Sequence, residues 1–165
     1  MKGLKKFLVL MGRLMVSAIF ILSALNKIFE WQKTQTALIN LFCDWQSYVG
    51  SFLSISKFFA KLITWAPEIL IVFTVIELIA ALLIFFGIKE KLGAFLLILI
   101  FIPATLVLHP FWFLSGVKKS IEMVVFLKNL AILGGLFFLM IFGSKINDSV
   151  SLPPIMTKPK EFDAN

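Results

Sequence analysis

Four long apolar segments alternate with shorter polar connections along the chain. They cover about residues 7–29, 67–87, 92–113 and 123–143. About 20 apolar residues of helix span the roughly 30 Å of hydrocarbon in a bilayer, so each segment is long enough to cross a membrane. The segment 67–87 also lacks the polar face that a core helix of a soluble protein would show. The pattern therefore predicts four transmembrane helices.

The connections between these segments predict how the four helices are arranged. Residues 88–91 are so few that the second and third helices must run antiparallel. In the long connection, residues 30–66, apolar residues recur at helical spacing opposite polar ones, which is typical of a helix in the membrane interface. The predicted fold class is an all-α membrane protein, an antiparallel four-transmembrane-helix bundle with an interfacial amphipathic segment between helices 1 and 2. Residues 1–143 form this domain, and residues 144–165 are predicted to be a flexible polar tail.

Composition and charge exclude several other classes of protein. Hydrophobic residues make up 60% of the chain, which a soluble domain of 165 residues could not bury. The formal net charge is +7, but the lysines are scattered and form no basic face, so the lipid bilayer, and not nucleic acid, is the expected partner. The single cysteine, Cys43, and the single histidine, His109, leave no pair for a disulfide or a bis-histidine haem, and no metal site is expected.

The N-terminal sequence and the distribution of lysines predict the orientation. Lys2, Lys5 and Lys6 precede the first apolar segment as in a secretory signal. That segment is too long and lacks a clear cleavage site, so we interpret it as an uncleaved first span. Lysines are slightly more frequent on the side of the N- and C-termini, which the positive-inside rule assigns to the cytoplasm. Three tryptophans would then lie at the outer interface: Trp31, Trp65 and Trp112.

Six polar or charged residues inside the predicted spans are candidates for a ligand or proton site. Glu77 lies near the middle of the second span, where an unpaired carboxylate costs at least a few kcal/mol. Arg13 lies in the inner half of the first span. The other four lie toward the outer ends of their spans: Lys27, His109, Lys128 and Asn129. We expect a polar chamber that opens outward, with Glu77 at its floor.

Each of these residues also has a purely structural interpretation. Glu77 could form an ion pair with Arg13 or with Lys128 and only fix the register of the helices. Lys27 and Lys128 are close enough to the ends of their spans to reach the interface as anchors. His109 could form hydrogen bonds near Pro110. The sequence does not decide between these interpretations and a ligand site.

Three segments of the sequence resemble the DoxX family of small four-span membrane proteins. They are GRLMVSAIFILSALNKIF, ELIAALLIFFGIKEKLGAFLL and FLKNLAILGGLFFL, and the resemblance covers about residues 11–143. Ala24 departs from the family, whose members often have glycine shortly before the lysine at this point. The residues that carry the resemblance are Arg13, Lys27, Glu77, Gly87, His109, Lys128, Asn129, Gly134 and Gly135.

The resemblance implies a multi-pass protein of the bacterial cytoplasmic (inner) membrane that is linked to redox complexes, because the family takes its name from a subunit of a thiosulfate:quinone oxidoreductase. The chamber would then hold a quinone headgroup or a small anion, with the chemistry in a redox partner protein. No cofactor motif is evident, and whether the chain is itself an enzyme stays open. Two other functions stay open: a small-solute transporter or channel, which would need a homo-oligomer to form a pathway, and a membrane scaffold without a ligand.

Overall fold

The computed structural model describes residues 2–50 and 52–148, and these residues form helices joined by short turns. The helices are α1 (Lys2–Phe29), α2 (Trp31–Tyr48), α3 (Leu53–Thr64), α4 (Ala66–Phe86), α5 (Glu90–Leu108) and α6 (Gly116–Asp148), with one 3-10 turn at Phe111–Phe113. Helix α6 continues past the predicted end of the fourth span at Gly143. The rest of the predicted tail, residues 149–165, lies outside the described residues.

Four of these helices are long and apolar enough to cross a membrane, which confirms the predicted fold class. The candidate spans are Phe7–Phe29, Ala66–Phe86, Glu90–Phe113 and Gly116–Gly143. No strand occurs in the described ranges. Large apolar side chains are exposed along all four spans, as expected of a surface that faces acyl chains. Examples are Leu22, Ile79, Leu99 and Phe138.

The spans pack in the order in which they follow one another along the chain. Helix α1 packs against α4, α4 against α5 and α5 against α6, and α6 closes the bundle with a smaller contact to α1. The buried centre includes Ile84, Leu97 and Leu136. There the rings of Phe20 and Phe101 meet edge to face, with their centroids 5.1 Å apart. The centre of the bundle is therefore mostly apolar, and the hydroxyls of the buried Ser17 and Thr74 donate to carbonyls of their own helices.

Small residues bring α4 and α5 into close contact. Ala80, Ala81 and Ala94 are buried, and a Cβ on Gly93 would lie 2.7 Å from the carbonyl oxygen of Ala80. Helices in lipid gain no hydrophobic driving force from association, so close packing of this kind is a main source of their stability.

The turn between α4 and α5 has the hydrogen bonds of a Schellman motif. The N–H of Gly87 donates to the Ile84 carbonyl (3.1 Å), and the N–H of Ile88 donates to the Leu83 carbonyl (3.0 Å). Gly87 has a φ of +73°, which glycine adopts without strain. The turn makes α4 and α5 an antiparallel hairpin, as the short connection predicted.

Helices α2 and α3 cover the outer ends of α4 and α5, where "outer" means the end of the bundle at which α1 ends and α4 begins. Phe42 and Phe59 pack with Ala66 in a second apolar cluster, and Trp45 stacks on Phe59 with the ring centroids 5.4 Å apart. The indole N–H of Trp45 donates to the carbonyl of Val107 (2.8 Å), in the last turn of α5. The amphipathic segment is therefore a pair of helices that an aromatic cluster and a hydrogen bond hold to the bundle.

We expect Gly93→Ala to destabilise the protein, because its Cβ would press against the backbone of α4. Overpacking of this kind costs about 1–3 kcal/mol. Gly134→Ala is the matched control, since a Cβ there has no neighbour within 4 Å and alanine favours a helix over glycine. The thermal unfolding midpoint in detergent, followed by tryptophan fluorescence, should fall for Gly93→Ala and stay level or rise for Gly134→Ala. Equal midpoints for the two variants would contradict the close packing.

Candidate functional site

Lys27 and Glu77 form an ion pair between α1 and α4. Lys27 Nζ lies 2.7 Å from Glu77 Oε2, and it also donates to the Ser23 hydroxyl at 2.7 Å. Side chains in a helix lean toward its N-terminus. Because α1 and α4 run in opposite directions, Lys27 leans inward from the outer end of the bundle, and Glu77 leans outward to meet it.

The pair is largely buried but keeps polar atoms that another molecule can reach. The side chain of Glu77 is 9% exposed and that of Lys27 is 25% exposed. Glu77 Oε1 accepts no hydrogen bond from the described residues. In these residues, every completely buried side-chain nitrogen or oxygen has a hydrogen-bond partner. Oε1 is therefore not completely buried. Lys27 uses two of its three N–H donors within the same residues, so the pair can accept further hydrogen bonds and donate one more.

Arg13 pairs with Glu90, so the predicted pairing of Glu77 with Arg13 or Lys128 is wrong. Arg13 Nη1 lies 2.8 Å from Glu90 Oε1, on the first residue of α5. Arg13 lies six residues into the candidate span Phe7–Phe29, near the end of the bundle at which α1 begins. The Arg13 side chain also leans toward that end. It therefore reaches the turn between α4 and α5, where Glu90 is buried.

Arg13 also closes the C-terminal end of α4. Its Nε and Nη2 donate to the Ile84 carbonyl (3.3 and 3.2 Å), and Nη2 donates to the Phe85 carbonyl (3.3 Å). The last carbonyls of a helix lack partners within it and carry the negative end of its dipole, so a guanidinium group suits them. A Cβ on Gly87 would collide with this guanidinium. The Arg13 contacts therefore hold α1 against the turn, which is a structural role.

His109 and Glu122 form another contact, between the outer ends of α5 and α6. His109 Nδ1 lies 2.7 Å from Glu122 Oε2, and both side chains are partly buried. His109 thus has a carboxylate partner on α6, which the sequence did not predict. Further in, the buried Asn129 Nδ2 of α6 lies 3.4 Å from Thr105 Oγ1 of α5. These two contacts tie α5 to α6, and neither involves the Lys27–Glu77 pair.

Lys128 is exposed on α6 and forms no ion pair within the described part of the chain. The structure thus brings together only Lys27 and Glu77 among the six candidates, while Arg13 and His109 have carboxylate partners of their own. No group of three or more His, Cys, Asp or Glu side chains that could hold a metal ion occurs in the described ranges. The role of each candidate toward a ligand stays a prediction.

A family model described as DoxX matches residues 8–110 of the chain. The chain belongs to the DoxX family. No curated protein and no solved structure matches it. The DoxX match extends from α1 through α5 and contains the Lys27–Glu77 and Arg13–Glu90 pairs, whereas α6 with Lys128 lies beyond it. The DoxX match and the four apolar helices together establish an integral, multi-pass membrane protein that is surrounded by lipid.

Sequence reasoning missed three residues that complete the polar contacts of this DoxX protein. Ser23 lies four residues before Lys27, the spacing at which helix side chains meet, so it could have been found. Glu90 and Glu122 were assigned to polar connections between the spans. Glu90 belongs instead to the first turn of α5 and Glu122 to the second turn of α6, where their depth depends on helix starts that composition does not define.

Removing one member of the Lys27–Glu77 pair should destabilise the protein more than removing both charges. Lys27→Met leaves the Glu77 carboxylate buried without a partner, which costs about 3–5 kcal/mol, whereas the double variant Lys27→Met/Glu77→Gln leaves no charge. Lys33→Met is the control, because its pair with Glu30 is exposed and worth at most about 1 kcal/mol. Unfolding in detergent measures all three variants. A Lys27→Met variant as stable as the wild type would rule out a buried charge at Glu77.

Gly87→Ala should destabilise the protein through two separable effects. A positive φ strains alanine by about 1–2 kcal/mol, and the new Cβ displaces the Arg13 guanidinium. In an Arg13→Ala background only the backbone strain remains. The loss of unfolding free energy caused by Gly87→Ala should then be smaller by about 1 kcal/mol than in the wild-type background. A cycle of unfolding free energies for the wild type, both single variants and the double variant gives this coupling. Strictly additive effects would mean that Arg13 does not fill the space beside Gly87.

Proposed function

We propose that this DoxX protein is a membrane subunit of a redox-linked assembly and that its Lys27–Glu77 pair binds a quinone headgroup or a small anion. One observation carries the proposal: a carboxylate near the middle of a transmembrane helix keeps an accessible oxygen, beside an ammonium group with a spare N–H. Ionisable groups at such depth are rare, and they are functional candidates by default. A pair that only fixed helix register would be more stable with its remaining polar atoms satisfied by the protein.

Charge favours a quinone over an anion as the ligand. The pair holds one positive and one negative charge 2.7 Å apart, so its net charge is zero. An anion would be attracted by Lys27 but repelled by Glu77, and both forces are strong where the dielectric constant is low. A quinone is neutral. Its carbonyl oxygen can accept the spare N–H of Lys27, and the hydroxyl of its reduced form can donate to Glu77 Oε1.

Glu77 is also placed to accept a proton that quinone chemistry releases. A hydroquinone loses protons together with electrons when it is oxidised, and a carboxylate within hydrogen-bond reach can act as the acceptor. The electrons would pass to a redox partner protein, which would carry the chemistry. In this proposal the DoxX chain supplies binding and proton acceptance, and the electron carrier belongs to the partner.

We infer that the protein lies in the bacterial cytoplasmic membrane with both termini in the cytoplasm. The turn between α4 and α5 lies at the same end of the bundle as the N-terminal half of α1, because Arg13 reaches it. Lys89 and Lys91 in and after this turn add positive charge to that end. At the opposite end the rings of Trp45 and Trp112 are in contact, as in the aromatic belt of an interface.

A scaffold without a ligand is the second candidate, and one observation favours it. Ion contacts join the spans to one another: Arg13–Glu90, Lys27–Glu77 and His109–Glu122. Contacts of this kind set the order and register of the helices whether or not a ligand binds. A partner protein or a second copy of the chain would then meet the bundle on its lipid-facing surface.

Glu77→Gln should weaken binding of the reduced form, decylubiquinol, about tenfold or more, because it removes the charged acceptor of the quinol hydroxyl and keeps the shape of the side chain. Binding can be measured in lipid vesicles from the quenching of tryptophan fluorescence by decylubiquinone and from its displacement by decylubiquinol. Lys27→Arg, which keeps a charged donor, should bind within a few-fold of the wild type. Glu30→Gln is the control, because Glu30 is exposed and pairs only with Lys33.

Three outcomes decide between the candidates. If folded wild-type protein binds no decylubiquinone, the quinone proposal fails and the scaffold is favoured. If Glu77→Gln binds decylubiquinol as tightly as the wild type, the Lys27–Glu77 pair is not the site. Displacement of decylubiquinone by added thiosulfate would identify a small anion as a ligand of the same pair.

A further inference from the structure

Helices α1 and α6 touch in the inner half of the bundle. A Cβ on Gly135 of α6 would lie 3.8 Å from a methyl group of Val16 on α1. Leu139 lies one turn further inward on the same edge of α6 and is buried. We call the line along which these helix edges face each other the α1–α6 seam. It is defined by Val16, Ser23 and Lys27 on α1 and by Lys128, Gly135 and Leu139 on α6.

The outer half of the α1–α6 seam is open. Lys128 lies two helical turns before Gly135 on the same edge of α6, and Ile121 lies two turns before Lys128. Lys128 and Ile121 are both exposed, Ile121 to 57%. Leu139, at the inner end of the same edge, is only 7% exposed. Helix α1 therefore covers the inner part of this edge and leaves its outer part uncovered.

The open part of the seam leads to the Lys27–Glu77 pair. By helical rise, Lys27 lies about 16 Å and Lys128 about 10 Å outward of the contact between Val16 and Gly135. Each side chain leans toward the N-terminus of its own helix, so Lys27 leans inward and Lys128 leans outward. The two ammonium groups therefore come to a similar depth along the bundle axis, on opposite edges of the seam. Glu77 pairs with Lys27 on the α4 side.

A molecule dissolved in the lipid has a more direct path to this pair than one dissolved in the outer water. Helices α2 and α3 pack over the outer ends of α4 and α5, where Trp45 donates to the Val107 carbonyl and contacts the ring of Trp112. Among the residues that the structure describes, none covers Lys128 on the side of the bundle between α1 and α6, since its side chain is exposed there.

We propose that the open outer half of the α1–α6 seam is a lateral entrance from the bilayer to the Lys27–Glu77 pair, and that Lys128 binds the second oxygen of a quinone headgroup. This inference rests on the quinone function proposed above. A quinone has carbonyl oxygens on opposite sides of its ring, so one can accept from Lys27 and the other from Lys128, while the tail stays in the lipid. Lys128 is free to do so because it forms no ion pair within the described residues, and an unpaired lysine in a span is otherwise unfavourable.

Lys128→Met tests the second contact. It should weaken binding of decylubiquinone in vesicles about tenfold, because one charge-assisted hydrogen bond is lost, whereas Lys128→Arg should bind within a few-fold of the wild type. Lys119→Met is the matched control, since Lys119 is exposed on the same helix outside the seam. Neither Lys128 nor Lys119 forms an ion pair within the described residues, so the unfolding midpoints of all three variants should not fall below that of the wild type.

Photolabelling tests the entrance without a substitution. An azido-substituted ubiquinone, photolysed in vesicles with the wild-type protein, should label the peptides of α1 and α6 that border the seam. An excess of decylubiquinone should suppress this labelling. Labelling confined to α2 and α3 would overturn the lateral entrance.

The failures of the two proposals are distinguishable. If Glu77→Gln weakens decylubiquinol binding and Lys128→Met leaves decylubiquinone binding unchanged, the Lys27–Glu77 pair is the site and the role of Lys128 is wrong. If the folded wild-type protein binds no decylubiquinone, the quinone function itself fails. If Lys128→Met lowers only the amount of anionic phospholipid that co-purifies, Lys128 is a lipid anchor and this inference is overturned.

Discussion

Hydrocarbon cannot solvate a charge or an open backbone carbonyl, and this constraint explains where the polar groups of the bundle lie. The buried carboxylates Glu77 and Glu90 each have a basic partner on α1, in Lys27 and Arg13. Each pair joins two different helices, so the need to neutralise charge also fixes which helices are neighbours. In lipid, association gains no hydrophobic driving force. Directional contacts of this kind therefore carry more of the specificity of the fold than they would in a soluble bundle.

Two helix ends inside the bundle are closed in the same way by side chains from elsewhere in the chain. Arg13 of α1 donates to the last carbonyls of α4, and Trp45 of α2 donates to a carbonyl in the last turn of α5. The two ends of the bundle differ in compactness, however. At the inner end, a Cβ on Gly143 would lie 3.0 Å from Glu90 Oε2, so α6 packs tightly there. Toward the outer end, Ile121 and Lys128 on the edge of α6 are exposed, and the Lys27–Glu77 pair lies in that half.

The sequence was sufficient to predict the spans, because length and apolarity are local signals and residues 88–91 allow only a direct return. It was not sufficient to predict the ion pairs. The partner of Arg13 depends on where α5 begins, because the apolar pattern placed Glu90 in the connection although it is the first residue of the helix. The partner of Glu77 depends on how side chains lean in antiparallel helices. When that rule is applied to α1 and α4, it identifies Lys27 as the partner of Glu77. Depth estimated from residue counts alone does not identify this partner. The exposure of Lys128 depends on how far α1 and α6 separate, and no local pattern encodes this.

The pairing of α1 has a consequence for biosynthesis. Helix α1 is translated first. The partner of Lys27, Glu77, is translated 50 residues later, and the partner of Arg13, Glu90, is translated only at the start of α5. Until the ribosome has completed the α4–α5 hairpin, the first helix carries two cations that have no carboxylate partner in the membrane. Completion of that hairpin supplies both carboxylates, so α1 reaches its final set of contacts only after α5 has begun to form.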